Sequence, residues 1–209
     1  MAGRLKIGLL GGSFDPVHNA HIRLALAARE HLGLDRVELI PASAPWQRSP
    51  LHTDARHRLR MLELALASEP TLTINPSELE RAGQTYTIDT VQALDPAHDY
   101  IWILGADQLA NFCTWHAWRE ILNHVQLAVA ARPGYAPDPP ADLQQALLDT
   151  PDKPLLHIPF EPDPTSATWI RQALARGHPV QDLLHPHVLS YIHTHHLYQN
   201  GASARAHTL

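Results

Sequence analysis

A run of small, polar and imidazole-bearing residues near the N-terminus has the composition of a site that handles anions. It reads GGSFDPVHNAH and spans residues 11–21. Gly11 and Gly12 allow the backbone to turn tightly and to bring its N–H groups close to a ligand. His18 and His21 are three residues apart, so on a helix they would lie on one face, one turn apart. Imidazole N–H groups in that position can donate to phosphate oxygens and stabilise the charge that develops during phosphoryl transfer.

Two common nucleotide-binding motifs do not describe this run. No lysine follows in the GxxxxGK[ST] spacing of a P-loop, and the glycines do not form GxGxxG. Without further context, the same residues would also fit a glycine turn followed by two surface histidines. The surrounding elements and the other polar segments therefore decide between these interpretations.

Short apolar runs alternate with segments of helical period along most of the chain. Strands are predicted at residues 4–10, 36–40, 72–75, 100–104, 126–131 and 155–158. Helices are predicted at residues 20–32, 54–68, 87–94, 115–122, 168–175 and 187–195. This alternation predicts an α/β fold, a Rossmann-like and mostly parallel sheet with helices on both faces. Such sheets bind ligands at the carboxyl ends of their strands, and the GGSFDPVHNAH run follows the first strand.

Two later segments carry a polar or an aromatic group that could contact a ligand. The run IWILGAD ends in Asp107, whose carboxylate could accept from ribose hydroxyls, hold a hydrated metal ion, or simply cap a helix. The run FCTWH, residues 112–116, contains Trp115, which could stack on a flat aromatic ligand. Trp115 and Trp118 are three residues apart, so both could instead pack into the core.

Two further segments open helices. The run GQTYT, residues 83–87, puts Thr85 and Thr87 at a helix start, which suits either an anion or an ordinary cap. The run TSATWIR, residues 165–171, combines hydroxyl groups with Arg171 on the first turn. That pattern can clamp a phosphate, although Ser166 or Thr168 as a simple N-cap beside a solvated arginine would read the same way.

Together these motifs resemble one family. The first run resembles the GxFDPxHxGH signature of the nucleotidylyltransferase superfamily, and the four later segments resemble those of bacterial nicotinate-nucleotide adenylyltransferases. The likeness extends from about residue 6 to residue 198. It implies the nucleotidylyl transferase fold and transfer of the adenylyl group of ATP to nicotinate mononucleotide. The expected products are nicotinate adenine dinucleotide and pyrophosphate, in NAD biosynthesis, with Mg²⁺ and without a covalent intermediate.

The resemblance also implies roles for individual residues. The catalytic set would be His18, His21 and Arg171. The ATP site would add Gly11, Gly12, Ser13, Phe14, Gly105, Asp107, Ser166 and Ile170. The nicotinate nucleotide would be bound by Thr85, Tyr86, Thr87, Trp115, His116, Arg132 and Arg48. Asp107 would also be the residue nearest the metal, through water.

The chain departs from the family pattern at two places. Ala20 stands where the family usually has glycine between the two histidines, and Trp46-Gln47-Arg48 stands where the family often has PPHK or PPHR. Arg48 retains the cation. Two alternatives therefore stay open: an adenylyl- or cytidylyltransferase that acts on phosphopantetheine or nicotinamide mononucleotide, or a regulator that binds nucleotide without turnover.

Composition sets the outer bounds. The 209 residues carry a net charge of −5, one cysteine, 16 histidines and no apolar run of membrane-spanning length. These features exclude an internal disulfide and argue against nucleic-acid or membrane binding. We expect one domain over residues 1–198, a disordered tail over 199–209 and a cytoplasmic location, with homo-oligomerisation left open. The histidine-rich C-terminal region lacks the spacing of helical zinc sites, so it is expected to form a solvated helix.

Overall fold

The computed structural model describes residues 3–43, 51–81, 84–161 and 163–199. Within these ranges, six strands run over Lys6–Gly12 (β1), Arg36–Pro41 (β2), Leu72–Ile74 (β3), Asp99–Gly105 (β4), Gln126–Ala131 (β5) and Leu156–Pro159 (β6). The same described residues form eight α-helices, at Asn19–Leu32 (α1), Ala55–Leu66 (α2), Thr87–Gln92 (α3), Ala106–Ala110 (α4), Trp118–His124 (α5), Ala141–Leu148 (α6), Ala167–Ala175 (α7) and Pro186–Thr194 (α8). A short 3-10 helix spans Phe112–Thr114.

The strands form one sheet in the order β3-β2-β1-β4-β5-β6, and every neighbouring pair is parallel. The sequence predicted a mostly parallel sheet, and among the described residues it is wholly so. Strand order reverses direction between β1 and β4, which pair side by side. In doubly wound sheets the crevice at this reversal, outside the carboxyl ends of the strands, is where ligands bind.

Side chains of the four central strands, β1, β2, β4 and β5, alternate between two hydrophobic cores, one on each face of the sheet. In β4, for example, Ile101 and Ile103 join the core that also contains Met61 on α2 and Ile170 on α7. Trp102 and Leu104 join the core on the opposite face, with residues of α5 and α6. This period of two, with both faces apolar, is what a parallel strand covered by helices requires.

Two boundaries differ from the sequence prediction in ways that matter for the site. Strand β1 continues through both glycines, so Gly11 and Gly12 pair with Ile40 and Pro41 and the turn begins only at Ser13. The helix predicted at residues 115–122 begins instead at Trp118. Ala117 interrupts the helical path with a left-handed φ of 51°, after the 3-10 helix.

The two lysines of the sequence act on helix ends. Lys6 Nζ donates to the carbonyl of Leu32 at the last residue of α1, at 2.7 Å. Lys153 Nζ donates to the carbonyls of Leu122 and Asn123 in the last turn of α5, at 3.0 and 2.8 Å. A cation near the negative end of a helix dipole stabilises the helix. Within the described residues, no helix is long and apolar enough to cross a membrane.

Candidate active site

A cleft of about 530 Å³ opens at the carboxyl edge of the sheet, at the reversal between β1 and β4. One wall consists of the end of β1, with Gly11, Gly12 and Ser13. The opposite wall carries Thr85, Trp115 and His116, and Asp107 contributes from the start of α4. The fold therefore brings the start of the first motif, Gly11 to Ser13, and residues of three of the four later motifs to a single cleft.

The glycines at the end of β1 are required by close packing. A Cβ atom on Gly11 would lie 3.0 Å from the ring of Trp102, and one on Gly12 would lie 2.9 Å from the ring of Phe14. Neither glycine adopts a positive φ. Both glycines were predicted to form a tight turn, and that prediction is wrong, because they lie in β1. Their missing side chains leave the space that the rings of Trp102 and Phe14 occupy.

The two histidines adopt a different arrangement from the predicted one. His18 is the N-cap of α1 in an extended conformation, so it lies before the helix rather than on its face. Its imidazole stacks on that of His21, with ring centroids 3.7 Å apart. The backbone N–H of His18 donates to Nδ1 of His21 at 3.2 Å. Because Nδ1 accepts, neutral His21 carries its proton on Nε2.

Burial controls the charge of His18. Its side chain is almost fully buried, and its Nδ1 has no hydrogen-bond partner among the described residues. Loss of solvation, together with the nearby charge of Arg23, lowers the pKa of His18 to about 4. His18 is therefore neutral near pH 7 and offers a single N–H donor rather than a positive charge. Arg23 itself pairs with Asp163.

The loop between β1 and α1 is held by residues that the sequence analysis did not select. Arg58 of α2 is buried and donates to the carbonyl of Ser13 at 2.8 Å. Asp15 is also buried, and its carboxylate accepts from the backbone N–H of His52 at 2.7 Å and from the Tyr198 hydroxyl at 2.6 Å. Arg58 stands in a strongly charged segment, DARHRLR, so nothing in the local sequence distinguished it, and no spacing linked it to Asp15.

Helix α7 brings its predicted residues to the same loop. Arg171 donates to the carbonyl of Asp15 at 2.7 Å and to Thr168 Oγ1 at 3.2 Å. Ser166 is the N-cap and accepts from the Trp169 N–H at 3.1 Å. Arg171 thus contacts the loop that continues from Ser13, and neither Arg171 nor Ser166 is part of the cleft wall described above. Ile170 is fully buried in the core, so its side chain packs α7 against the sheet.

The aromatic side of the cleft separates two tryptophans. Trp118 is buried, whereas Trp115 is half-buried and lines the cleft. Trp115 meets the edge of Trp102 at a centroid distance of 6.2 Å and contacts Phe112 at 5.1 Å. The left-handed residue Ala117 lets the chain point one indole into the core and leave the other on the wall. Trp118 is therefore part of the core, whereas Trp115 packs against the edge of that core and also lines the cleft.

A buried carboxylate holds the segment before α3. Thr85 Oγ1 donates to Glu78 Oε2 at 3.4 Å, and Thr90 Oγ1 donates to Glu78 Oε1 at 3.0 Å. Burial raises the pKa of Glu78, and the two hydroxyl donors oppose that rise. Arg81 also donates to Thr90 Oγ1. Because Glu78 accepts the hydroxyl hydrogen of Thr85, the Thr85 hydroxyl is not available as a donor for an anionic ligand.

The remaining acceptor-side residues lie at different distances from the cleft. The ring of His116 packs against Tyr86 with centroids 4.7 Å apart, and the Tyr86 hydroxyl donates to Gln84. Thr87 begins α3 and lines the cleft. Arg132 is exposed on the turn after β5, where its carbonyl accepts from Tyr135, and it is not on the cleft wall. Arg48, Gln47 and Gly83 lie outside the described residues, as does the predicted tail from residue 200.

The chemistry of Asp107 fits a weakly held hard cation. Asp107 lies in the first turn of α4, two residues after Gly105, the last residue of β4. Its side chain is exposed and lines the cleft. The carboxylate oxygens of Asp15 are already engaged by His52 and Tyr198. Among the described residues, no cluster of three or more metal-ligating side chains occurs. Mg²⁺ commonly binds through one or two carboxylates plus waters and substrate phosphates, so one carboxylate at this edge suffices.

Comparison with known proteins adds independent information. The family described as cytidylyltransferase-like matches residues 9–173. A Bordetella pertussis protein described as "Probable nicotinate-nucleotide adenylyltransferase" is 57% identical over 197 residues, which cover 94% of this chain and 100% of that protein. A Laribacter hongkongensis protein with the same description is 42% identical and covers 96% of this chain and 98% of its own length.

Solved structures agree on the fold. The Plasmodium falciparum nicotinic acid mononucleotide adenylyltransferase complexed with NaAD superposes with a TM-score of 0.72 at 20% identity. The match covers 93% of this chain and 98% of that one. At this identity the similarity carries the architecture alone.

Proposed function

The chain belongs to the nicotinate-nucleotide adenylyltransferase family, and we propose that it transfers the adenylyl group of ATP to nicotinate mononucleotide. The products are nicotinate adenine dinucleotide and pyrophosphate. One observation carries this proposal: a single cleft at the β1/β4 reversal joins the glycine end of β1 to a wall with Trp115 and the Thr85–Thr87 segment. A phosphate-binding loop and a flat aromatic subsite within one cleft are what this reaction needs.

The bond changes require positioning more than covalent chemistry. A phosphate oxygen of nicotinate mononucleotide forms a bond to the α-phosphorus of ATP. At the same time, the bond breaks between that phosphorus and the oxygen that bridges the α- and β-phosphates. Pyrophosphate leaves with the electron pair of that bond. Negative charge is spread over the oxygens of the transferring group, so aligned N–H donors and cations supply most of the catalysis.

The phosphate side supplies these donors. Neutral His18 donates one imidazole N–H to the transferring phosphate, and His21 donates through Nε2. Arg171 uses two of its N–H groups on Asp15 and Thr168, and its other donors face the phosphates that leave as pyrophosphate. Ser166 accepts from Trp169 and keeps its own hydroxyl hydrogen for the same phosphates.

Mg²⁺ would be held beside Asp107 through water, together with phosphate oxygens of ATP. When bound, the ion would neutralise part of the charge on the triphosphate and on the leaving pyrophosphate. The Asp107 carboxylate and the Gly105 backbone otherwise border the ribose region at the end of β4.

On the acceptor side, Trp115 stacks on the pyridine ring, and backbone N–H groups at the start of α3 meet the ring carboxylate. Glu78 keeps the Thr85 hydroxyl turned away from the ligand. A site made of N–H donors favours a carboxylate over an amide, whose NH₂ group would face donors. We further propose that the reaction takes place in the cytoplasm.

The proposal is tested by pyrophosphate release from ATP and Mg²⁺ with three acceptors in parallel: nicotinate mononucleotide, nicotinamide mononucleotide and phosphopantetheine. We expect release with the first acceptor at a kcat/KM at least tenfold above that for the other two. Preference for another acceptor would overturn the substrate assignment. ATP binding without release for any acceptor would establish the regulatory alternative instead.

A further inference from the structure

Asp15 is a junction in the phosphate loop. It is 1% exposed, and three hydrogen bonds from distant parts of the chain converge on it. Its carboxylate receives the Tyr198 hydroxyl and the His52 N–H, while its carbonyl receives Arg171. A buried carboxylate that loses a hydrogen bond is costly, so these partners fix where the loop lies. The position of the Asp15 carbonyl in turn fixes where the Arg171 guanidinium rests.

Tyr198 reaches Asp15 from the end of α8, which is itself anchored. Val188 and Ile192 of α8 are buried against the core. His57 Nδ1 lies 2.9 Å from the Tyr191 hydroxyl, and the rings of His57 and His195 pack with centroids 5.3 Å apart. These contacts tie α8 to α2. They give the Tyr198 hydroxyl a defined place rather than leaving it on a loose end.

Helix α2 supports the same loop from a second point. Arg58 donates to the Ser13 carbonyl at 2.8 Å and to the Thr53 carbonyl at 3.3 Å. The loop is therefore held at Ser13 by Arg58 of α2 and at Asp15 by Tyr198, four residues beyond the end of α8. Arg171 bonds to the carbonyl of Asp15.

We infer that Tyr198 is a positioning residue for the adenylyl transfer: through Asp15, its hydroxyl sets the height of the Arg171 guanidinium over the ATP phosphates. The inference rests on the proposed function. It assigns a part in the reaction to a side chain that lies 183 positions along the chain from its partner and lines no part of the cleft. Tyr198 acts through Asp15 and Arg171 and does not touch the substrate.

The test is a double-mutant cycle between Tyr198→Phe and Arg171→Ala, measured by pyrophosphate release. Tyr198→Phe keeps the ring and removes only the hydroxyl. It should lower kcat by about tenfold in the otherwise unchanged enzyme, as loss of a bond to a charged group predicts. In the Arg171→Ala background the same change should cost less than about twofold, because the group it positions is gone. The KM for nicotinate mononucleotide should stay within about twofold.

Tyr100→Phe is the matched control, since it removes a tyrosine hydroxyl at the N-terminal end of β4, at the edge of the sheet opposite the cleft. Its kcat should stay within about twofold of the unchanged enzyme. Melting temperatures of all variants are recorded, and the cycle is run below the lowest of them.

Three results would overturn the inference alone while the unchanged enzyme is active. They are an undiminished kcat in Tyr198→Phe, an equal loss in the Arg171→Ala background, or an equal loss in Tyr100→Phe. An unchanged enzyme that releases no pyrophosphate would overturn the proposed function, and the inference with it.

Discussion

The two sides of the cleft are held together in different ways. The phosphate loop is fixed by residues far away in sequence: Arg58, Arg171 and Tyr198 reach it across 45, 156 and 183 positions. On the acceptor side the bonds are short-range. Thr85 and Thr90 bond to Glu78 across 7 and 12 positions.

This difference separates what the reaction always needs from what selects the acceptor. The phosphate loop depends on three elements of the fold, so changes there are constrained by the whole chain. The acceptor wall is built within residues 78–90 and 112–116, and such local segments can change with little effect on the rest of the fold. We therefore expect substitutions on the phosphate side to affect turnover and those on the acceptor side to affect substrate affinity.

The largest effect is expected from His18→Ala. Removal of one preorganised donor to the transferring phosphate should lower kcat by about a hundredfold, measured by pyrophosphate release at saturating substrates. The KM for nicotinate mononucleotide should change by less than about threefold. His31→Ala, an exposed position on the same helix, serves as the control and should leave kcat unchanged.

A loss smaller than about tenfold in His18→Ala would show that the imidazole is not a catalytic donor. A large rise in KM for the acceptor with little change in kcat would break the division between the two sides.

The second effect concerns stability in acid. The pKa of His18 is about 4 in the fold and about 6.5 when unfolded, so the unfolded chain binds the proton more readily. His18 therefore supports the fold above about pH 6.5, and that contribution falls as the pH drops towards 4. Between pH 7.5 and pH 5 the enzyme should lose about 2 kcal/mol more unfolding free energy than His18→Gln, measured by urea denaturation.

Equal losses in the two proteins would mean that His18 is not buried as a neutral imidazole. The phosphate side of the cleft would then be as open to water as the acceptor wall, and burial would not distinguish the two sides.

The smallest effect is expected from Trp115→Ala. Loss of the stacking surface should raise the KM for nicotinate mononucleotide by about tenfold, while the KM for ATP and kcat change by less than about threefold. Trp169→Ala is the control, since Trp169 is 49% exposed on α7, away from the cleft wall. A fall in kcat with an unchanged KM for nicotinate mononucleotide in Trp115→Ala would show that this indole contributes to turnover and not to acceptor binding.

The sequence predicted the local parts of this site well. The alternation of strands and helices gave the α/β class, and the motifs at Gly12, Asp107 and Trp115 lie on one cleft. The motifs at Gly12 and Asp107 lie at the ends of recognisable strands, where a parallel sheet places its ligand site, so their position along the chain was informative. The end of the helix predicted at residues 20–32 was equally local: α1 ends at Leu32, and Gly33 follows it with a left-handed φ of 61°.

The supports of the phosphate loop could not be predicted in the same way. Asp15, Arg58 and Tyr198 meet only because the sheet brings β1, α2 and α8 together, and no periodicity records that meeting. The extended conformation of His18 was missed for a related reason. A three-residue spacing suits a helix face, but here the first histidine is the cap and its ring folds back on the second.

The bond between Tyr198 and Asp15 also has a consequence for the order of events during protein synthesis. Ribosomes add roughly 5–20 residues per second, so Asp15 is made about ten to forty seconds before the side chain that secures it. Strands β1 to β5 can assemble in that interval around a loop that still lacks one of its supports. The catalytic loop is thus among the first parts of the chain to be translated and among the last to be locked.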